Sequence, residues 1–314
     1  MPTHRMFEPM YGSIVLEMVS DSPAGELLGE TTREYTFESC GETLDMAELQ
    51  EIWESKLEPV YPYRKAGPTV EKISGKLNAP AAPKIGVAKP KVIIPVFPGT
   101  NCEYDTAKAF ARAGADPEIL VIRNLTPADV TAGCEALVKA IGESQIVMLP
   151  GGFSGGDEPD GSAKFIASFF RSPAVTEAVR DLLQHRDGLM LGICNGFQAL
   201  IKLGLVPYGD IRPITAYDPT LTFNTIGRHQ SMLVRTRVAS TGSPWLSHCD
   251  AGSEYEIAIS HGEGRFVAPQ NVLDQLIANG QVATQYVDLE GEPTMDQRYN
   301  PNGSLLAIEG ITSP

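Results

Sequence analysis

The sequence has no run of basic residues longer than Arg64-Lys65. Lys and Arg number 25 against 39 Asp and Glu, a formal net charge of −14, so a phosphate backbone finds no electrostatic footprint and nucleic acid is excluded as a partner. Long apolar runs are missing as well. Stretches such as Val92 to Phe97 and Leu189 to Ile193 fall far short of the roughly 20 residues that span a bilayer, which excludes a membrane as partner. Met1 to Met6 lead into acidic and aromatic residues rather than an apolar signal core. The five cysteines, Cys40, Cys102, Cys134, Cys194 and Cys249, are odd in number and contain no Cys-x-x-Cys pair, which speaks against a disulfide framework and a zinc site. A cytoplasmic, reducing location is the expectation, with no metal.

What is present is enough apolar residue, 42%, to build a core over 314 residues. Residues 1–63 read as two strands, Gly12 to Met18 and around Tyr35 to Phe37, and a helix from Asp45 to about Leu57. Such a set buries too little to stand alone. From 64 to 90 the composition turns to Pro, Gly, Ala and Lys, including Asn78 to Pro83, and predicts an extended linker. Beyond it strands and helices alternate: Val92 to Phe97, Tyr104 to Ala113, Glu118 to Ile122, Pro127 to Ile141, Gln145 to Leu149, Lys164 to Phe170, Val175 to Gln184, Leu189 to Ile193 and Gly196 to Leu203. The fold class expected is α/β, an open, mostly parallel sheet with helices on both faces. After Gly204, strands at Met232 to Val238, Tyr255 to Ser260, Val282 to Val287 and Ser304 to Ile308, with a helix near Val272 to Ala278, predict an antiparallel extension.

Gly192-Ile193-Cys194-Asn195-Gly196 lies between an apolar strand and a helix. Glycines two before and two after a reactive residue are what a nucleophile elbow needs, because the turn brings strand and helix backbones close together. At the helix N-terminus, backbone N–H groups favour thiolate, and that of Asn195 can meet an oxyanion. The alternative is a buried structural cysteine. Pro150-Gly151-Gly152-Phe153-Ser154-Gly155-Gly156-Asp157 follows another strand, at the edge where open α/β sheets bind ligands. No Gly-Lys-Ser/Thr follows it, so it is not a nucleotide-phosphate loop; oxyanion binding or a plain surface turn remain.

Together these two loops resemble the class I glutamine amidotransferases. With Pro98-Gly99-Thr100-Asn101-Cys102, His261-Gly262-Glu263-Gly264-Arg265-Phe266 and Asn300-Pro301-Asn302-Gly303-Ser304, the order of motifs is similar to the glutaminase part of the phosphoribosylformylglycinamidine synthase family. The resemblance implies that residues 91–314 are a glutaminase domain truncated at its C-terminus and that 1–63 are the tail of a synthetase part. It implies glutamine as substrate, Cys194 as nucleophile, oxyanion donors from Gly151, Gly152, Phe153 and Asn195, and Gln198 as a residue that seats glutamine. It further implies that the synthetase part of the same enzyme is the partner and uses ATP and magnesium, this part needing no cofactor. A Cys-His-acid arrangement also calls for a base. His261 and Glu263 are the local candidates, since residues i and i+2 of an extended segment share a face. In the family the corresponding His-x-Glu lies downstream of the Asn-Pro-Asn-Gly-Ser motif, beyond Pro314. A catalytically incomplete glutamine-binding or docking module, or a cysteine hydrolase of another amide, are the alternative readings.

Overall fold

Val92, Ile93 and Ile94 are wholly buried in a strand whose ends alone are partly exposed. An apolar run of this kind marks a central parallel strand covered on both faces. That strand is β3 (Lys91–Val96), and the structure, a computed structural model, describes residues 8–20, 25–62, 64–75, 86–154 and 163–314. The chain divides into two units, 1–63 and 64–314.

In the first unit, β1 (Thr36–Ser39) and β2 (Glu42–Asp45) pair as an antiparallel hairpin, followed by α1 (Met46–Ser55). The Asp45 carboxylate caps α1 by accepting from Ala47 N–H at 2.8 Å and Glu48 N–H at 3.2 Å. The segment from Gly12 to Met18, expected as a strand, joins no ladder. Its apolar Ile14, Val15 and Leu16 face solvent, so apolar composition there has no neighbouring strand to pair with.

The second unit opens its parallel sheet with β3, then α2 (Glu103–Arg112), β4 (Asp116–Val121), α3 (Pro127–Glu143) and β5 (Ile146–Leu149). After α4 (Lys164–Phe170) and α5 (Pro173–Arg180), which runs into a π-helical turn, come β6 (Leu189–Gly192) and α6 (Asn195–Leu203). The strand order is β4-β3-β5-β6, parallel throughout. Val92, Ile94 and Met148 pack with Ala107 and Phe110 of α2 on one face. Ile93, Val147 and Leu149 pack with residues of α3, α4, α5 and α6 on the other. The strand period of two thus sends alternate residues into two cores, each fully buried aliphatic side chain contributing about 1.5–3 kcal/mol.

A short α7 (Leu205–Tyr208) and β7 (Thr220–Thr222) lead to β8 (Gln230–Val238) and β9 (Glu254–His261). Then follow β10 (Arg265–Val267), α8 (Gln270–Ala278), β11 (Val282–Val287) and β12 (Ile308–Ile311). The antiparallel extension is a sheet of its own, ordered β12-β11-β8-β9, while β10 pairs with β7. The strand expected from Ser304 to Ile308 starts later, because Leu305–Ala307 form a 3-10 turn. Among the described residues no helix is long and apolar enough to cross a membrane.

The linker expected over 64–90 needs correction for its first part. Val70 N–H donates to Pro293 O at 2.7 Å, Met295 N–H to Pro68 O at 2.9 Å and Gly75 N–H to Ala239 O at 3.0 Å. Ile73 is buried in the main core, its N–H donates to Gln285 Oε1 at 2.9 Å, and Arg237 Nη1 donates to its carbonyl at 2.8 Å. Proline and glycine hold these residues extended, and an extended strap with two apolar side chains can dock across a sheet as readily as it can span a gap. The Asn78 to Pro83 stretch lies outside the described residues.

Candidate active site

Cys194 stands between the end of β6 and the first residue of α6, with φ 54° and ψ −111°. A positive φ at a side chain other than glycine costs about 1–3 kcal/mol, and the surroundings must hold it. Three backbone bonds do so: Ile193 N–H to Leu149 O at 3.1 Å, Gly196 N–H to Ile193 O at 2.9 Å and Gln198 N–H to Cys194 O at 3.0 Å. A Cβ on Gly192 would meet Gly196 O at 2.5 Å, and one on Gly196 would overlap Leu149 O, so both glycines are required by close backbone approach. The elbow presents an exposed sulfur at the N-terminus of a nine-residue helix, where backbone N–H groups favour negative charge.

The loop after β5 reaches the same point. Gly151 is so close that its missing Cβ would lie 3.4 Å from the Cys194 Cβ. This loop is clamped to the loop after β3 by Asn101 N–H to Gly151 O at 3.4 Å and Phe153 N–H to Gly99 O at 2.8 Å. The second bond removes Phe153 N–H from the oxyanion donors expected of this loop. Gly152, at φ 130°, makes a bridge with Thr100 that a Cβ would break, since it would stand 2.6 Å from Gly99 O. The other expected donors, the N–H groups of Gly151, Gly152 and Asn195, take no part in these two clamping bonds. Residues 155–162, with Gly155, Gly156 and Asp157, lie outside the described residues.

Asn195 and Gln198 build the walls. Ser154 Oγ donates to Asn195 Oδ1 at 2.6 Å, Asn195 Nδ2 donates to Gln198 Oε1 at 2.9 Å, and Gln198 Nε2 donates to Glu263 O at 2.9 Å. All three side chains are buried. This relay ties the glycine-rich loop, the elbow helix and the loop after β9 to one another. Gln198, expected to seat glutamine, has both ends of its amide engaged by the protein and is a positioning residue. Gln198→Leu keeps the bulk and strands Asn195 Nδ2 and the Glu263 carbonyl, at about 1–3 kcal/mol each. The expected result is a lower urea midpoint and faster amide exchange across 261–266.

His261 ends β9, and the chain turns at Gly262 instead of continuing extended. The shared face expected for His261 and Glu263 is therefore lost. Neither ring nitrogen of His261 makes a hydrogen bond, so none reaches Cys194 or Glu263. Glu263 acts electrostatically on Lys202 of α6, whose ammonium burial holds below its ordinary range. The structure thus does not assemble a Cys194-His261-Glu263 arrangement. Burial, and then His229, push the His261 imidazole below its ordinary 6.5, so the folded chain favours the neutral ring. The unfolded chain binds the extra proton as pH falls through 6.5, and stability drops on that acid side. His261→Leu is expected to flatten the acid limb of the urea midpoint measured between about pH 5 and 8.

The Asn-Pro-Asn-Gly-Ser motif supports this loop from behind. Asn302 Nδ2 donates to Gly264 O at 2.8 Å and Tyr286 Oη at 3.0 Å, and Phe266 N–H donates to Ser304 Oγ at 2.9 Å. Asn224 does the same from the other side, donating to His261 O at 2.8 Å and accepting from Gly264 N–H at 3.2 Å. The sequence pattern offers no role for Asn224 and none for Ser154 beyond its place in the glycine-rich loop, while His229, in polar loop-like surroundings, reads as structural or solvated. The His229 ring lies 6.3 Å from that of Phe153, and its Nε2 pairs with Ser260 Oγ at 2.9 Å. No pattern marks Asn224, because it reaches the site from a remote part of the chain.

The sequence profile of the CobB/CobQ-like glutamine amidotransferase domain matches residues 89–314. The chain belongs to this family. The amidotransferase domain is 36% identical over 221 residues to phosphoribosylformylglycinamidine synthase subunit PurQ of Symbiobacterium thermophilum, covering 69% of this chain and 79% of that protein. The subunit of the same name from Salinibacter ruber is 35% identical over 218 residues, at 69% and 79% coverage. A solved PurLQS structure from Thermotoga maritima gives a TM-score of 0.48 at 25% identity, over 70% of this chain and 80% of that one.

Proposed function

We propose that this chain is the glutamine-hydrolysing part of phosphoribosylformylglycinamidine synthase, with Cys194 as the nucleophile. The observation that carries the reading is the strained elbow, which holds an exposed thiol at the α6 N-terminus directly against Gly151 of the glycine-rich loop. The similarity to proteins named phosphoribosylformylglycinamidine synthase subunit PurQ supports the reading, with glutamine as the substrate and de novo purine synthesis as the pathway. The Cys194 sulfur attacks the side-chain amide carbon of glutamine. Negative charge develops on the amide oxygen, and the N–H groups of Asn195 and Gly152 meet it. The amide nitrogen takes a proton from water, collapse breaks the C–N bond to release ammonia and leave a thioester, and a further water hydrolyses it to glutamate and the free thiol. His261, bonded neither to the sulfur nor to Glu263, is given no proton transfer in this scheme. On this reading the ammonia goes to a synthetase partner, where ATP and magnesium are used to convert formylglycinamide ribonucleotide to its amidine.

A chloroketone analogue of glutamine tests the reading. Mapping by peptide mass is expected to find the label on Cys194 alone among the five cysteines, with free glutamine slowing its attachment. Absence of label, or a label elsewhere that glutamine does not slow, would sink it.

A further inference from the structure

A second thiol stands at the same site. Cys102 ends the loop after β3 and is the N-cap of α2, and both it and Cys194 are exposed. The point that a Gly151 Cβ would occupy lies 3.4 Å from Cys102 Sγ and 3.9 Å from Cys194 Sγ. The two sulfurs therefore both lie within 4 Å of the same point beside Gly151. Backbone pairing creates this approach: the bridge between Thr100 and Gly152 fixes the β3 loop against the β5 loop two residues before Cys102 and one residue after Gly151.

We propose that Cys102 and Cys194 form a reversible oxidative modification site, in which a hydroperoxide converts the pair to a disulfide that masks the nucleophile. The Cys194 thiolate attacks a peroxide oxygen, an S–O bond forms, and the O–O bond breaks, its electron pair leaving on the second oxygen, which takes up a proton as water or alcohol. Cys102 then attacks the sulfenic sulfur. An S–S bond forms and the S–O bond breaks, and the departing hydroxide takes the Cys102 proton to leave as water. Two thiols and one hydroperoxide give one disulfide, one water and one water or alcohol.

The order of attack follows from the surroundings. Cys194 has the helix N-terminus and is the exposed tip of the elbow. Cys102 Sγ donates to Asn101 Oδ1 at 3.0 Å, and burial with the carboxylates of Asp105 and Glu103 pushes its thiol up. It is therefore the slower of the two thiols to meet peroxide, and it attacks the sulfenic sulfur through its minor thiolate fraction. Glycine at 151 leaves room for Cys102 to rotate away from Asn101.

The inference rests on the proposed function only for the consequence of masking Cys194. The experiment exposes the reduced full chain to hydrogen peroxide, maps disulfides by peptide mass without reductant, and measures chloroketone labelling before and after dithiothreitol. The result expected is a Cys102–Cys194 linked peptide, with labelling lost on oxidation and restored by reductant. Cys102→Ser is expected to lose labelling without recovery as Cys194 passes to sulfinic acid. The inference is overturned if oxidised wild-type chain carries Cys194 as sulfinic acid, or joined to Cys40, Cys134 or Cys249, or if Cys102→Ser recovers its labelling as fully as wild type. The disulfide map needs neither a variant nor an activity. Failure of the reduced chain to label at Cys194 would overturn the proposed function and leave the map to be judged by itself.

Discussion

Cys194→Ser is expected to lower ammonia release from glutamine by on the order of a thousandfold or more. The substitution keeps nearly the same volume at the elbow, so the backbone bonds from Ile193, Gly196 and Gln198 that hold φ 54° persist. What changes is the nucleophile. A helix N-terminus can hold a thiolate near neutral pH, but it cannot ionise an alcohol, and the hydroxyl lacks a bonded base at His261. Ammonia release by wild type and variant, assayed with the synthetase partner present, reads the effect. Activity within tenfold of wild type would remove Cys194 from the reaction. Cys102→Ser, by contrast, leaves the elbow and its donors in place, and ammonia release under reducing conditions is expected to stay within a few-fold.

Gly196→Ala is expected to destabilise the second unit by several kcal/mol, about 3 or more. A methyl group there would occupy the space of the Leu149 carbonyl, and the next atoms in its path are also Leu149, whose side chain is wholly buried. No flexible side chain can move aside. Relief requires β5 or α6 to shift, and β5 is held between β3 and β6 in the parallel sheet. Unfolding in urea, followed by tryptophan fluorescence, is expected to show a much lower midpoint; Trp245 reports on this unit through its indole N–H bond to Met190 O at 3.1 Å. A midpoint unchanged from wild type would mean that strand and helix do not approach as closely as the elbow demands.

The parallel sheet was legible because its signals are local. Val92 to Phe97 is too apolar for an edge strand, and the β-then-α rhythm recurs at short intervals, so element type followed from periodicity alone. Apolar composition misled at Gly12 to Met18, which pairs with no strand among the described residues, and at Ser304 to Ile308, where a buried Ser304 accepts from Phe266 N–H and starts a turn. The 64–75 strap shows a related failure. Proline and glycine report an extended backbone, but whether that backbone spans a gap or docks on a sheet depends on residues more than 160 positions away, Arg237 and Gln285.

The sequence by itself determined the nucleophile elbow, because glycines two before and two after a cysteine, between an apolar strand and a helix, mark the sharp turn locally, although the clash that requires Gly196 comes from Leu149 of the neighbouring strand. It also determined the strand edge at which both loops gather, since βα alternation fixes where loops emerge. Only the tertiary structure decided what surrounds the sulfur. Gln198 was tied by its amide to Asn195 and the Glu263 carbonyl, Phe153 N–H was spent on Gly99, the ring of His261 was left without a hydrogen bond, and Cys102 and Cys194 were brought to the same glycine. These outcomes depend on which groups meet across loops far apart in the chain, as in Ser154 with Asn195 and Gln198 with Glu263. Spacing along a chain carries no information about such meetings, because hydrogen-bond satisfaction is settled only when the loops are packed.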